Sequence, residues 1–232
     1  PKQLILNESF IKTLPYSHKI ILHHEYINLK EPAWLLKRFR YMGRKPKFLW
    51  KIQDAQRNST LKALKNFQNY DLIIFGDLDE FPSPASIDLI SNQTTLHESY
   101  SCSQHFYYYN LRTIADSSSW YGTIFTSLEN FRKILPHKLR SMRDDLPHLE
   151  QGGWHFSYFM SPDKIKQKIS AIGSVEKITN HSLIQTTEIE EKIKSRKDMF
   201  DREIQYRSNI NEHEIVPASL KKLFELNLPT SC

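Results

Sequence analysis

Hydrophobic positions follow two spacings along the chain, one typical of helices and one typical of strands. Apolar residues at helical spacing and capping signals at Ser83-Pro84, Ser127, Ser161-Pro162 and Thr187 predict helices over residues 32–41, 50–67, 84–91, 127–135, 162–169, 187–203 and 217–226. Short apolar runs predict strands over residues 19–22, 72–75, 100–111, 120–125 and 154–159. Because the two kinds of element mix along the chain and neither repeats nor low-complexity linkers interrupt them, we expect one α/β domain.

One of the apolar runs ends abruptly in three carboxylates. Ile73 and Ile74 at its centre predict a strand that is buried on both faces. Asp77, Asp79 and Glu80 follow within four positions. Carboxylates this close together repel one another, so they need either solvent or a divalent cation that takes oxygen ligands. The carboxyl end of such a strand is also where α/β sheets bind ligands, which favours a metal and diphosphate site over an acidic surface turn.

Two further residues are candidates for the same site. Arg57 lies on a predicted helix, where it is either solvated or able to hold a diphosphate bidentately. His155 follows two glycines and a group of charged residues, and it is either structural or a ligand. Alternation along its strand predicts that Trp154, Phe156 and Tyr158 share the face opposite His155.

Composition limits the class of protein. A chain of 232 residues with 39% hydrophobic and 25% charged residues is globular, and its net charge of +6 suits anionic ligands such as nucleotide diphosphates. No basic stretch is dense enough for a nucleic-acid-binding arm, and no cysteine and histidine spacing supports a zinc site. No apolar run approaches the roughly 20 residues of a membrane span.

Several segments of the chain resemble those of one known family in order and spacing. They are residues 56–58, 74–82, 107–111, 120–123, 138–140 and 152–158. The family is glycosyltransferase family 17, whose D-x-D-E-[IV]-P signature resembles residues 77–82 and whose aGWHfSy segment resembles residues 152–158. It includes the β-1,4-mannosyl-glycoprotein β-1,4-N-acetylglucosaminyltransferases. The resemblance covers roughly residues 1–200.

The resemblance implies a GT-A fold, in which helices flank a mixed, mostly parallel sheet that binds a nucleotide diphospho-sugar. It implies metal-dependent, inverting transfer of N-acetylglucosamine from UDP-N-acetylglucosamine to a mannose-containing glycan or glycoprotein through a β-1,4 linkage. The implied cofactor is a divalent cation, Mn²⁺ or Mg²⁺, and nucleic acid is not an expected partner.

The resemblance also implies roles for individual residues. The implied cation ligands are Asp77, Asp79 and His155, and the implied donor-binding residues are Arg57, Asn58, Asp77 and Trp154. Inverting transfer needs a carboxylate that takes the proton of the acceptor hydroxyl. Glu150 is the expected base, with Asp144 and Asp145 as alternatives.

The chain departs from the family pattern in two places. Residues 1–3 resemble the middle of a segment that follows the first strand in the family, so we expect a truncated GT-A-like domain that lacks this strand. The domain is expected to span residues 1–232, with a peripheral helical tail from about residue 180. A histidine-containing family segment is replaced by residues 172–176, so no role of that histidine carries over.

Other functions and the cellular compartment stay open at this stage. A phosphohydrolase could also use an acidic strand end, and an inactive relative could bind carbohydrate without turnover. Membrane association through the missing N-terminal region is possible. The resemblance implies the Golgi lumen, with a membrane anchor, for a eukaryotic protein and the cytoplasm for a bacterial or viral one.

Overall fold

The computed structural model describes residues 8–13, 15–21, 23, 47–94, 96–116, 120–171, 184–208 and 216–225. The chain divides into two compact units, residues 1–67 and 68–232. This division does not decide the number of domains, so the single domain stays a prediction. Within the described ranges, no helix combines the length and the apolar character that crossing a membrane requires.

The first unit contains α1 (Glu8–Thr13), one turn of 3-10 helix (Ser17–Lys19) and α2 (Lys47–Ala63). The helix α2 confirms the helix predicted over residues 50–67, although it begins and ends earlier. The helix predicted over residues 32–41 lies outside the described residues.

The strand predicted over residues 19–22 is wrong. Tyr16 has a left-handed φ of 60°, and the chain then enters the turn Ser17–Lys19 instead of extending. Ile20 and Ile21 follow with 39% and 69% of their surface exposed, and no described strand pairs with them. A short apolar run forms a strand only where a neighbouring strand satisfies its backbone hydrogen bonds. The run itself does not show whether such a neighbour exists.

Seven described strands form one sheet in the second unit. They are β1 (Leu72–Phe75), β2 (Glu80–Pro82), β3 (Tyr100–Tyr108), β4 (Thr113–Ala115), β5 (Trp120–Ser127), β6 (His148–Ser157) and β7 (Tyr206–Ser208). The central strand β3 pairs antiparallel with β5 and β4 and parallel with β6. Antiparallel pairing then adds β1 to β5, β2 to β6 and β7 to β4.

The prediction of a mostly parallel sheet is wrong. The sheet is mixed, and β3 with β6 is the one parallel pair among the described strands. Residues 109–112 join β3 to β4, which is too short for the crossover that parallel strands need. The α/β class is therefore confirmed, whereas the GT-A fold is not.

Burial of β1 on both faces is also wrong. Among the described strands β1 pairs with β5 alone, so it lies at an edge of the sheet that these strands form. Ile74 is 44% exposed, and the other residues of β1 are half-buried. A run of branched apolar residues is therefore compatible with an edge strand.

The helices of the second unit follow local signals in the sequence. They are α3 (Pro84–Ser91), α4 (Leu128–Ile134), α5 (Pro136–Ser141), α6 (Pro162–Ala171), α7 (Thr186–Lys194) and α8 (Ala218–Glu225). Ser83 and Ser127 cap α3 and α4 by accepting hydrogen bonds from the backbone N–H groups of Ser86 and Asn130. The helix α5 was not predicted from the sequence.

The helix predicted over residues 187–203 ends early, at Lys194. The chain instead turns around the buried Asp198 carboxylate, which accepts hydrogen bonds from the Arg202 guanidinium and the Tyr206 hydroxyl. The backbone N–H of Phe200 donates to the same carboxylate at 2.8 Å. These hydrogen bonds satisfy the buried Asp198 carboxylate more fully than a continued helix could.

The prediction of a peripheral tail from about residue 180 does not hold for the described part of that tail. Ile184, Ile189 and Met199 are almost fully buried, in one core cluster with Phe106 and Tyr108 of β3. Although this region is mostly polar, a few of its apolar residues cover one face of the sheet. Its packing therefore supports β3, which pairs with β6.

Candidate functional site

The carboxylates that follow β1 lie in a tight turn fixed to β6. The backbone N–H of Glu80 donates to the carbonyl of Asp77 at 3.0 Å, which closes the turn. The backbone N–H of Phe156 donates to the carbonyl of Asp79 at 2.9 Å. Because β2 also pairs Glu80 with His155, the turn between β1 and β2 is held at both of its ends.

Glycine allows this junction between β2 and β6. Gly153 lies opposite Pro82 with a φ of 135°, and a Cβ there would collide with the carbonyl oxygen of Phe81. Only glycine tolerates both the backbone conformation and the close approach. Gly152 and Gly153 both lie inside β6.

Glu80 is a buried structural carboxylate. Its side chain is fully buried and accepts hydrogen bonds from both terminal nitrogens of Arg140, with 3.0 Å between Nη1 and Oε2. The indole Nε1 of Trp120 donates to Oε1 at 2.7 Å, and the backbone N–H of Asp77 donates to Oε2 at 3.1 Å. Since these donors surround it, Glu80 fixes the turn rather than binding a ligand.

Arg140 connects this buried carboxylate to Asp77. Its Nη2 donates to Asp77 Oδ2 at 2.7 Å, and its Nη1 donates to the carbonyl of Gly122 at 3.0 Å. Burial acts to lower the pKa of Arg140, but hydrogen bonds and charges from Glu80 and Asp77 outweigh it and raise the pKa. Arg140 therefore stays charged and orients Asp77, whose side chain is 49% exposed.

Asp79 lies between two other basic groups. Its Oδ1 is 3.6 Å from His155 Nε2, and its Oδ2 is 3.5 Å from Lys168 Nζ. Burial acts to raise the pKa of Asp79, but His155 and Lys168 outweigh it, so the pKa lies below its ordinary value. Asp79 is therefore ionised at neutral pH, with about a third of its side chain exposed (33%).

The His155 ring is held in an aromatic stack. Phe106 stacks on one side with 4.9 Å between ring centroids, and Trp120 lies on it at 4.3 Å. Arg143 places its guanidinium 4.2 Å above the Trp120 ring. The Nδ1 atom of His155 is buried and has no hydrogen-bond partner among the described residues. The stack fixes the ring so that Nε2 faces Asp79.

Trp154 lies on the opposite face of β6 from this stack. It is buried with Tyr107 and Phe156 in a second core cluster, which confirms the predicted alternation for Trp154 and Phe156. Tyr158 departs from it, because β6 ends at Ser157 and Tyr158 has a left-handed φ of 60°. Its ring therefore packs in the core cluster on the side of Phe106.

The predicted base candidates lie on β6 and in the turn after α5. Glu150 is exposed on β6, five residues before His155 and next to Gln151, whose positive φ of 50° interrupts the extended strand. Asp144 and Asp145 are exposed in the turn after α5, where Asp144 Oδ1 is 3.5 Å from Arg143 Nε. All three carboxylates are accessible to an acceptor, and the choice among them stays a prediction.

A family model described as glycosyltransferase family 17 matches residues 32–222. The chain belongs to glycosyltransferase family 17. It is therefore an enzyme that transfers a sugar from a donor to an acceptor. Comparisons with curated proteins and with solved structures gave no match.

The acidic turn of this glycosyltransferase fits a divalent cation. No three histidine, cysteine, aspartate or glutamate residues in the described ranges come together as a complete ligand set. A cation such as Mg²⁺ needs only one or two carboxylates when phosphate and water supply its other ligands. Asp77 and Asp79 are both partly exposed and offer the oxygen ligands that such an ion prefers.

Other predicted site residues of the glycosyltransferase keep their roles as predictions. Arg57 and Asn58 lie on α2 in the first unit, whereas the acidic turn lies in the second. His155 is beside Asp79, which is consistent with a place near a bound ion but does not establish ligation.

Sequence reasoning missed two parts of this site. From the sequence, Arg140 stood out only within residues 138–140, which resemble a family segment, and its role was not predicted; Lys168 was not singled out. Each reaches the turn from a helix that is distant in sequence, α5 for Arg140 and α6 for Lys168.

Proposed function

We propose that this glycosyltransferase transfers N-acetylglucosamine from UDP-N-acetylglucosamine to a mannose-containing glycan, forming a β-1,4 linkage with inversion at the anomeric carbon. The observation that carries the proposal is the pair Asp77 and Asp79, partly exposed on a turn that β6 and the buried Glu80 hold rigidly. A rigid pair of carboxylates is what positioning a cation with a diphosphate requires.

In this proposal Asp77 and Asp79 hold Mn²⁺ or Mg²⁺. The cation supplies Lewis-acid neutralisation of the charge on the leaving diphosphate when it is bound. The residues of the chain provide the geometry: Arg140 orients Asp77, and His155 orients Asp79 from its aromatic stack. Arg57 and Asn58 are proposed to bind the donor as well.

The transfer itself exchanges one bond at the anomeric carbon for another. The acceptor hydroxyl oxygen bonds to that carbon from the face opposite the diphosphate, which produces inversion. The bond from the anomeric carbon to the diphosphate oxygen breaks, and UDP leaves with the electron pair. The hydroxyl proton passes to a carboxylate, for which we propose Glu150.

Incubation of the protein with UDP-N-acetylglucosamine and Mn²⁺, with and without a mannose-containing glycan, tests the proposal. We expect release of free UDP that depends on Mn²⁺, stops when the metal is chelated, and is accompanied by a glycan heavier by one N-acetylglucosamine. Inorganic phosphate released from UDP or from a simple phosphate ester would favour a phosphohydrolase instead. Glycan binding without turnover of the donor would indicate an inactive carbohydrate-binding relative.

A further inference from the structure

Arg140 and Lys168 both contact the acidic turn, and they differ in how firmly they are held. Arg140 is 5% exposed and gives its terminal nitrogens to Glu80, Asp77 and the carbonyl of Gly122. Its planar guanidinium is therefore held in one position by these hydrogen bonds. Lys168 is 35% exposed, and its Nζ is 3.5 Å from Asp79 Oδ2. This distance exceeds the roughly 2.7–2.9 Å of a charge-assisted hydrogen bond.

Lys168 is nevertheless aimed at the turn. It lies on α6, and its ammonium is 4.9 Å from the centre of the Tyr158 ring, which contacts and supports the side chain. Tyr158 is itself almost fully buried at the end of β6, so the support is rigid. The direction of the ammonium is thus defined, whereas its contact with Asp79 is loose. A cation held in this way can move to another anion when its side chain rotates.

A divalent cation at Asp79 changes the position of Lys168. Two cations that share one carboxylate repel each other, so a metal ion would displace the ammonium from Asp79. A diphosphate bound to the same ion provides phosphate oxygens close to the displaced ammonium. We propose that Lys168 binds the diphosphate of the nucleotide-sugar donor, and that it acts as the counter-ion of Asp79 until the donor arrives. This inference rests on the proposed function, since it requires a diphosphate at the acidic turn.

The exchange predicts that replacing Lys168 has opposite effects on the two ligands. In Lys168→Gln the ion no longer competes with an ammonium for Asp79, so Mn²⁺ alone should bind about two- to fivefold more tightly, as expected for a partly exposed ion pair. UDP in the presence of Mn²⁺ should bind about 10- to 100-fold more weakly, because a hydrogen bond to a charged group is lost. A residue with a purely structural role would weaken both ligands together.

Calorimetric titration of Mn²⁺ alone, and then of UDP into protein saturated with Mn²⁺, tests this directly. The set comprises the parent protein, Lys168→Gln, Lys168→Arg and the control Lys164→Gln, in which an exposed lysine one turn earlier on α6 is replaced. Melting temperatures verify that each variant is folded. We expect opposite shifts for Lys168→Gln, UDP affinity within about threefold of the parent for Lys168→Arg, and no shift for Lys164→Gln.

The outcomes separate this inference from the proposed function. If the parent binds UDP with Mn²⁺ and Lys168→Gln binds it equally well, the role of Lys168 is refuted and the proposed function is untouched. If Lys168→Gln weakens Mn²⁺ and UDP by the same factor, Lys168 only supports the fold of the turn, and the inference is again refuted. If the parent binds no UDP with Mn²⁺, the proposed function fails and the inference falls with it.

Discussion

Replacing Arg140 by methionine removes one partner of the buried ion pair on which the acidic turn is built. The substitution keeps most of the length of the side chain, so the main change is the loss of the guanidinium. Glu80, which has no solvent-exposed surface on its side chain, then keeps only the Trp120 indole and one backbone N–H as donors. Asp77 loses its 2.7 Å contact at the same time.

The expected cost follows from the burial of the pair. Breaking a buried ion pair by removing one partner typically destabilises a protein by about 3–5 kcal/mol, since the other charge stays buried and unpaired. For a folding unit of this size, about 1 kcal/mol corresponds to roughly 2–4 °C in melting temperature. We therefore expect the melting temperature of Arg140→Met to fall by about 6–20 °C.

Urea denaturation and thermal melts of three variants measure this cost. Arg132→Met is the matched control, because Arg132 contacts the neutral side chain of Asn69 at the surface and its loss should cost about 1 kcal/mol or less. The double variant Glu80→Gln/Arg140→Met should be more stable than Arg140→Met alone, since the uncompensated charge is gone. Equal losses for Arg140→Met and Arg132→Met, or no recovery in the double variant, would refute the buried ion pair as the element that holds the turn.

Two further predictions concern the base and the dependence of stability on pH. Glu150→Gln should lower turnover by about 10²–10⁴-fold in a steady-state transfer assay while UDP affinity changes little; a loss of UDP binding would place Glu150 at the donor instead. Burial acts to raise the pKa of Asp198, but hydrogen bonds and charge from Arg202 and the backbone N–H of Phe200 outweigh it, so the folded-state pKa is depressed. The contribution of Asp198 to the free energy of unfolding is therefore present above its unfolded-state pKa of about 4, and it is lost as the pH falls through its folded-state pKa. Asp198→Asn should melt below the parent at pH 7, with a gap that narrows on acidification below about pH 4; a gap independent of pH would contradict this.

Local signals in the sequence predicted several of the helices and the acidic turn. Ser83-Pro84 and Ser127 mark helix starts through capping chemistry that involves only neighbouring residues, and both caps are confirmed. Alternation along β6 separated Trp154 from His155 correctly. The acidic turn was also recognisable, because carboxylates directly after an apolar run stand out without any knowledge of the fold.

Long-range pairing explains most of the failures. The predicted parallel sheet assumed connections that the chain does not make, whereas the actual partners of β1 and β2 are β5 and β6. Glu80 and Arg140 are 60 residues apart, and the local sequence around either residue does not indicate that the other is its partner. A carboxylate in an acidic cluster reads as exposed, yet Glu80 is buried because a distant arginine neutralises it.

The early end of α7 has a different cause. Its helical periodicity continues past Lys194, but a network of side-chain donors around Asp198 competes with the helix for the backbone. The strength of that competition depends on Arg202 and Tyr206, which reach Asp198 only once the turn has formed. Propensity alone therefore could not predict where this helix ends.

The rate of N-acetylglucosamine transfer by Asp79→Asn tests the central claim most directly. The substitution removes one negative charge at constant shape from a partly exposed side chain, so the fold should persist while the affinity for the cation falls. Asp88→Asn, at an exposed position on α3, is the control, and a melting temperature within a few degrees of the parent verifies the fold. We predict no detectable transfer from UDP-N-acetylglucosamine with Mn²⁺ by Asp79→Asn and parental transfer by Asp88→Asn. Transfer by Asp79→Asn at the parental rate would contradict the assignment of the acidic turn as the donor site.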